Sequence, residues 1–172
     1  LMALRAGTAA PVCRDEWTGT SSYRIKTPGQ SASYVAATAT ITWEYDPAAS
    51  APGVTAYRAS GTFDLEFGTP AAGCTITLSP RSFAIAANPL TTQNLWIYDT
   101  GAAPPTYTFL GSQMVTTTST YSCPGKEDVV THLDGLLVSF GPGGGTFAPG
   151  QSVLSGATDD GAIETAWHFA RP

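Results

Sequence analysis

Two carboxylates stand two residues apart in a strand-like segment, and this is the first spacing in the sequence that suggests chemistry. The stretch RASGTFDLEF, residues 58–67, alternates between apolar and polar side chains and carries Asp64 and Glu66 on its polar side. Side chains two apart on a strand share a face at roughly 6.5–7 Å, which overlaps the carboxylate separation of inverting glycosidases. Glu44 could join them from a neighbouring strand. Arg58 shares their side, however, so the pattern is more typical of an exposed mixed-charge face.

Four aromatic side chains in the segment NLWIYDTGAAPPTYTFLG, residues 94–111, form the second group. If the segment is a hairpin with Tyr98 opposite Tyr107, then Trp96 stands opposite Phe109 and all four rings share one face. Such a patch suits the apolar face of a sugar ring or a hydrophobic partner. A core aromatic cluster is the structural alternative. We predict that these four residues, Trp96, Tyr98, Tyr107 and Phe109, form the ligand-binding site.

The two histidines offer weaker sites. His132 lies near Asp128 and Asp134, and a metal site there is conceivable, but a solvated surface histidine is the more common arrangement. His168 alternates with two aromatic residues, so we expect it to face outward from the last strand. No strained nucleophile turn of the GxSxG type accompanies either histidine.

An acidic turn and a glycine-rich segment complete the candidate sites. The stretch TDDGA, residues 158–162, could hold calcium through Asp159 and Asp160, yet two aspartates before a glycine also make an ordinary tight turn. The stretch GPGGG lacks the Lys-Ser/Thr pair of a phosphate loop. We therefore predict no catalytic residue, no metal and no cofactor, and lean against an enzyme.

Three cysteines, Cys13, Cys74 and Cys123, indicate an oxidising compartment with one disulfide bond. Cys74 and Cys123 sit in or beside strand-like stretches, and we predict that they pair. The chain-entropy model gives such a loop of roughly 50 residues about 4 kcal/mol of stabilisation. Cys13 would then be free or paired outside this segment. The alternative is that all three are reduced core cysteines.

Alternation with a period of two dominates from residue 17 onward and indicates strands with one buried face. In YVAATATITWEY, residues 34–45, apolar side chains on one parity oppose threonines on the other, and RASGTFDLEF should pair with it across DPAASAPG. Residues 126–134, KEDVVTHLD, are the best candidate for a short helical turn. We predict an all-β fold, an antiparallel meander-type barrel or sandwich of roughly nine to eleven strands with little or no helix.

The N-terminal segment LMALRAGTAAPV, residues 1–12, reads unlike the rest. We predict that residues 1–14 are an arm or linker and that residues 15–172 form a single all-β domain. The three residues before Cys13 do not favour a lipid anchor. An apolar arm could instead add a strand to the sheet edge of a neighbouring copy, which would give self-association through residues 1–12.

Composition excludes several partners. Only 12% of the residues are charged, the formal net charge is −5, and the two lysines are Lys26 and Lys126. This argues against nucleic acid and anionic membranes as partners. No apolar run approaches the roughly 20 residues that span a bilayer. Scarce lysine with abundant Ala, Gly and Thr suggests a bacterial source, and the cysteines suggest a secreted or cell-surface location.

Three functions remain. The first is a secreted, non-catalytic domain that binds carbohydrate or another extracellular surface ligand through the aromatic hairpin. The second is a structural or adhesive subunit of an extracellular assembly, linked through its N-terminal arm. The third is a small hydrolase that uses strand-borne carboxylates, and it has the least support because no nucleophile, base and orienting group can be recognised together.

Overall fold

The computed structural model describes residues 16–69, 71–86, 93–99, 101, 103–148 and 150–171. Over those residues the protein is all-β, antiparallel and without helix, which confirms the predicted fold class, and the sheet is not closed into a barrel. The strands are β1 (Glu16–Thr27), β2 (Gln30–Tyr45), β3 (Val54–Phe67), β4 (Thr75–Ser79), β5 (Ser82–Ile85), β6 (Gln93–Tyr98), β7 (Thr106–Ser122), β8 (Val129–Ser139), β9 (Gly143–Thr146), β10 (Val153–Asp159) and β11 (Ile163–Ala170). The described residues include no helix that is long and apolar enough to cross a membrane.

The sheet runs in the order β10-β11-β1-β2-β3-β6-β7-β4. Strand β5 pairs with β3, while β8 and β9 both pair with β7. Most neighbours in this order are also consecutive in the chain, as in a meander. The segment predicted to form a short helical turn, residues 126–134, instead enters strand β8 at Val129, so that expectation is wrong. Its β-branched pair Val129–Val130 favours an extended backbone.

Strand β3 has the two faces that its alternation predicts. Phe63 and Leu65 are buried in the core, whereas Asp64 and Glu66 are exposed. Strand β3 pairs with β2 in a register that sets Phe63 opposite Ala39. A slip by one residue would turn Phe63 to solvent and Asp64 inward, so burial of this face strongly favours the observed register.

The core is an aromatic cluster enclosed by the curled sheet. The ring centroid of Trp43 lies 5.9 Å from that of Phe109 and 5.7 Å from that of Phe169. Phe109 also contacts Trp167, with centroids 5.6 Å apart. All of these ring pairs meet edge to face, the arrangement that places the positive ring edge against the negative ring face. Strands far apart in sequence are thereby held around one interior.

Strand β7 is shared by two sheets. Its first half lies between β6 and β9, and its second half lies between β4 and β8. The β7–β8 register shifts between Val115 and Thr117 because β8 has one extra residue there, a β-bulge. We call the three strands β4, β7 and β8 the outer sheet. Most side chains of β8 are exposed.

A disulfide bond joins Cys74, just before β4, to Cys123, just after β7. This confirms the predicted pairing. The two half-cystines flank the pair Thr75 and Ser122 at the end of the outer sheet, so the bond ties β4 to β7 where their ladder begins. Cys13, the predicted arm of residues 1–14 and the self-association segment of residues 1–12 lie outside the described residues.

Candidate functional site

The β6–β7 ladder divides the four predicted ligand-binding aromatics into two pairs. Tyr98 stands opposite Thr106, Trp96 opposite Thr108, and Leu95 opposite Phe109. The predicted register, with Tyr98 opposite Tyr107, is therefore wrong by one residue. Because cross-strand partners share a face, Trp96 and Tyr98 lie on one side of the sheet while Tyr107 and Phe109 lie on the other.

Tyr107 and Phe109 belong to the core. Phe109 lies within the central aromatic cluster, and Tyr107 is also buried. The indole Nε1 of Trp167 donates to the Tyr107 hydroxyl at 2.9 Å, and that hydroxyl donates to the carbonyl of Ser155 at 3.3 Å. The hydroxyl of a buried tyrosine needs such partners. The prediction that all four rings form one exposed patch is therefore wrong. Tyr107 and Phe109 lie on the inner face of β7 and are buried, whereas Trp96 and Tyr98 lie on the outer face of β6.

Trp96 and Tyr98 remain on the outer face. Trp96 is partly buried, and Tyr98 is 38% exposed. The cross-strand neighbours of Trp96 are both small, Ala56 on β3 and Thr108 on β7. Gly144 of β9 continues the row beyond Thr108. A flat indole ring therefore has no bulky side chain directly beside it on either adjoining strand.

Polar and apolar groups surround this indole. Asn94 lies two residues before Trp96 on the same face and pairs with Arg58 on β3 and with exposed Leu110 on β7. The Arg58 Nε lies 3.2 Å from an Asp46 carboxylate oxygen. We call the set Asn94, Trp96, Tyr98, Thr108 and Leu110 the β6 platform. The platform places two aromatic rings beside an amide and a hydroxyl group. The neighbouring cation, Arg58, is paired with Asp46.

The strand-borne carboxylates are exposed, and each accepts a hydrogen bond from a hydroxyl group. Ser82 donates a hydrogen bond to Asp64, and the Tyr34 hydroxyl donates to Glu66. That bond raises the pKa of the Tyr34 phenol, with partial burial adding to the effect. Glu44 accepts from Ser60 at 3.4 Å. Each of these three acidic groups thus has its own local hydroxyl partner.

The carboxylates of the acidic turn after β10 accept hydrogen bonds from backbone N–H groups of the same turn. An Asp159 oxygen accepts the Gly161 N–H at 2.8 Å, and an Asp160 oxygen accepts the N–H groups of Ile163 and Ala162 at 2.7 and 2.9 Å. These backbone bonds, that of Ile163 first, lower the pKa of Asp160. This is the arrangement of an Asx-type tight turn, the alternative to a calcium site.

Neither histidine joins a cluster of metal-ligating groups. The Nδ1 atom of His132 lies 2.8 Å from the Thr118 hydroxyl on the neighbouring strand, and the side chain is exposed. His168 is exposed on β11, opposite Thr20 of β1. Within the part of the chain that the structure describes, no group of three or more His, Cys, Asp or Glu side chains could hold a metal ion.

Two platform residues, Thr108 and Leu110, could not be assigned from sequence. They adjoin the aromatic residues only through strand pairing, which carries no local sequence signal. The chain matches no protein-family model, no curated protein and no solved structure.

Proposed function

We propose that this protein is a secreted, non-catalytic module that binds carbohydrate, or another ligand of an extracellular surface, on the β6 platform. The observation that carries this proposal is the position of Trp96, an outward-facing indole flanked by Ala56 and Thr108. Tyr98 extends the same aromatic surface along the strand.

The chemistry of the platform suits a sugar ring. The axial C–H groups of a pyranose form an apolar face that stacks on an indole or phenol ring, while its hydroxyl groups need donors and acceptors at the edge. Asn94 and Thr108 supply such groups beside Trp96. The small neighbours Ala56 and Thr108 place no bulky side chain beside the indole on either adjoining strand, which suits a flat ligand laid across the strands.

The disulfide bond supports a secreted or cell-surface location. A bond between Cys74 and Cys123 persists in oxidising surroundings and is rare in reducing ones. A low content of charged residues, 12%, with many Thr and Ser side chains, also suits a protein that meets neutral polymers. The assembly function through residues 1–12 and the hydrolase function remain predictions without an observation that favours them.

Retention on insoluble polysaccharides tests the proposal. We expect the full chain to sediment with at least one of cellulose, chitin, xylan or peptidoglycan, and expect Trp96→Ala to reduce the bound fraction at least about tenfold, the effect of losing a central stacking residue. Tyr98→Ala should have a smaller effect in the same direction. Tyr45→Ala is the matched control, because Tyr45 is an exposed tyrosine on β2 outside the platform.

Circular dichroism should show that the variants retain the fold. The carbohydrate proposal fails if wild-type protein is retained by none of these polymers and by no glycan on an array. It also fails if Trp96→Ala and Tyr98→Ala bind as wild type does, because binding would then use another surface.

A further inference from the structure

Strand β8 has one paired edge and one free edge. Its ladder with β7 extends from Ser139 opposite Ser112 to Val129 opposite Tyr121. Among the described strands, none pairs with the opposite edge of β8. On either side of its β-bulge, the strand therefore presents backbone N–H and C=O groups outward. Such an edge is a template for a further β-strand.

The other free edges are shorter or covered. Strands β4, β5 and β9 have five, four and four residues. Strand β10 has seven residues, and the carbonyl of its Ser155 already accepts a hydrogen bond from Tyr107. Strand β8 by contrast contains no proline, lysine or arginine, the residues that commonly prevent edge pairing. Its single carboxylate is Asp134.

Both ends of β8 expose apolar side chains, and its middle is polar. Val129 and Val130 are 58% and 65% exposed at one end, and Leu137 is 62% exposed at the other. His132 and Asp134 lie between them. Leu137 also lines an apolar pocket of about 250 Å³, together with Ile25 and Val35. Large exposed hydrophobic groups on a free edge indicate a covered surface.

We propose that β8 is a self-complementary interface, on which two copies of this chain pair antiparallel about a two-fold axis at Leu133. A two-fold contact closes on itself and uses the same surface twice, as a strand paired with its own copy does. The two outer sheets then form one continuous sheet of six strands, β4-β7-β8 followed by β8-β7-β4 of the second copy.

The sequence of β8 matches itself in this register. With Leu133 on the axis, His132 of each copy stands beside Asp134 of the other, so an imidazole N–H donor and a carboxylate acceptor meet twice. The Thr118 hydroxyl already engages Nδ1 of His132, which leaves Nε2 for the carboxylate. The β-bulge at Asp134 and Gly135 then sets Val130 of one copy beside Leu137 of the other, since cross-strand partners share a face.

Sedimentation equilibrium of the full chain over a wide concentration range tests the proposal. We expect a reversible dimer of twice the 17.8 kDa chain mass. Val130→Lys should weaken association at least about tenfold, because it sets a charge in the apolar contact. Tyr45→Lys is the control, since Tyr45 is comparably exposed but far from β8 in the sheet order. Unfolding in urea should show that both variants keep the fold.

Two further variants test the register itself. His132→Asp should weaken the dimer by setting two carboxylates together, and the exchange His132→Asp with Asp134→His should restore it. In a Cys13→Ser background, Leu133→Cys should form an intermolecular disulfide, because paired Cα atoms lie within roughly 6 Å. Cysteines at Thr131 or Gly135 should not.

Three outcomes would overturn the proposal. The first is a monomer at every concentration. The second is a dimer that Val130→Lys leaves intact. The third is a dimer that is lost on deletion of residues 1–12 but not on Val130→Lys, which would assign association to the N-terminal arm. None of these results bears on polysaccharide retention, so the proposed function is tested separately.

Discussion

Trp96 and Phe109 lie on opposite faces of the β6–β7 ladder, because Phe109 pairs with Leu95 while Trp96 pairs with Thr108. One ring is therefore at the surface and the other is in the core, although both belong to one hairpin. The outer face of this ladder therefore carries the side chains that could contact a ligand, and the inner face carries the side chains that pack in the core.

The first prediction contrasts these two rings. Phe109→Ala should lower the free energy of unfolding by about 3–5 kcal/mol, since it opens a cavity in the aromatic cluster. Trp96→Ala should cost less than about 2 kcal/mol, because Trp96 is only partly buried. Urea unfolding followed by tyrosine and tryptophan fluorescence measures both. A larger loss for Trp96→Ala would mean that the register described here is incorrect.

The second prediction concerns Gly61, where β3 passes close to β2. A Cβ at this position would lie 2.1 Å from the carbonyl oxygen of Thr40, and its φ of +131° is one that other residues rarely adopt. Gly61→Ala should therefore destabilise the protein by about 3 kcal/mol or more.

Gly29 provides the matched control. It has a φ of +75° in the β1–β2 turn, but an added Cβ would meet no atom within 4 Å. Gly29→Ala should cost only about 1–2 kcal/mol, the strain of a left-handed backbone. Thermal unfolding of the two variants side by side measures the difference, and equal losses would refute the close approach of β2 and β3.

The third prediction concerns the disulfide. The sequence separation of 49 residues between Cys74 and Cys123 implies a stabilisation of about 4 kcal/mol on the chain-entropy model. The double variant Cys74→Ala, Cys123→Ala should be less stable by up to that amount in urea, and reduction should have no further effect on it. Cys13→Ser should leave stability unchanged. If the double variant is as stable as wild type, the pairing of β4 with β7 does not depend on the bond.

The fourth prediction concerns pH. The N–H groups of Ile163 and Ala162 lower the pKa of Asp160 in the folded protein, so its ionised form stabilises the fold. That contribution is present above the unfolded-state pKa of about 3.9 and is lost as the pH falls through the lower folded-state value. Asp160→Asn should therefore flatten the decline of stability below about pH 4, measured by urea unfolding at a series of pH values.

Asp128→Asn is the control for this experiment, because Asp128 is exposed in the turn between β7 and β8. Its profile should follow that of wild type. An Asp160→Asn profile that also follows wild type would show that the turn does not depend on the charge of this carboxylate.

The alternation of β2 and β3 could be interpreted from sequence because one face of each strand is polar. Thr38 and Asp64 oppose each other on the outer face, and Ala39 and Phe63 oppose each other on the inner face. Any other parity would bury charge, so the local pattern and the global fold agree. The pairing of Cys74 with Cys123 could also be predicted from sequence, because both cysteines flank strand-like stretches.

The β6–β7 register could not be predicted from the sequence in the same way. Leu95 and Ile97 on one face and Trp96 and Tyr98 on the other are all apolar, so either parity satisfies the pattern. What chose between them is the interior: Phe109 fits among Trp43, Trp167 and Phe169, which come from distant parts of the chain.

The amino-acid sequence by itself determined that this protein is built of strands, which faces of the central strands are buried, and which cysteines pair. Only the tertiary structure decided which aromatic residues are at the surface and that no described strand pairs with the outer edge of β8. The physical reason is that side-chain alternation is a local property of each strand, whereas register and edge exposure depend on which other strands are packed or paired beside it.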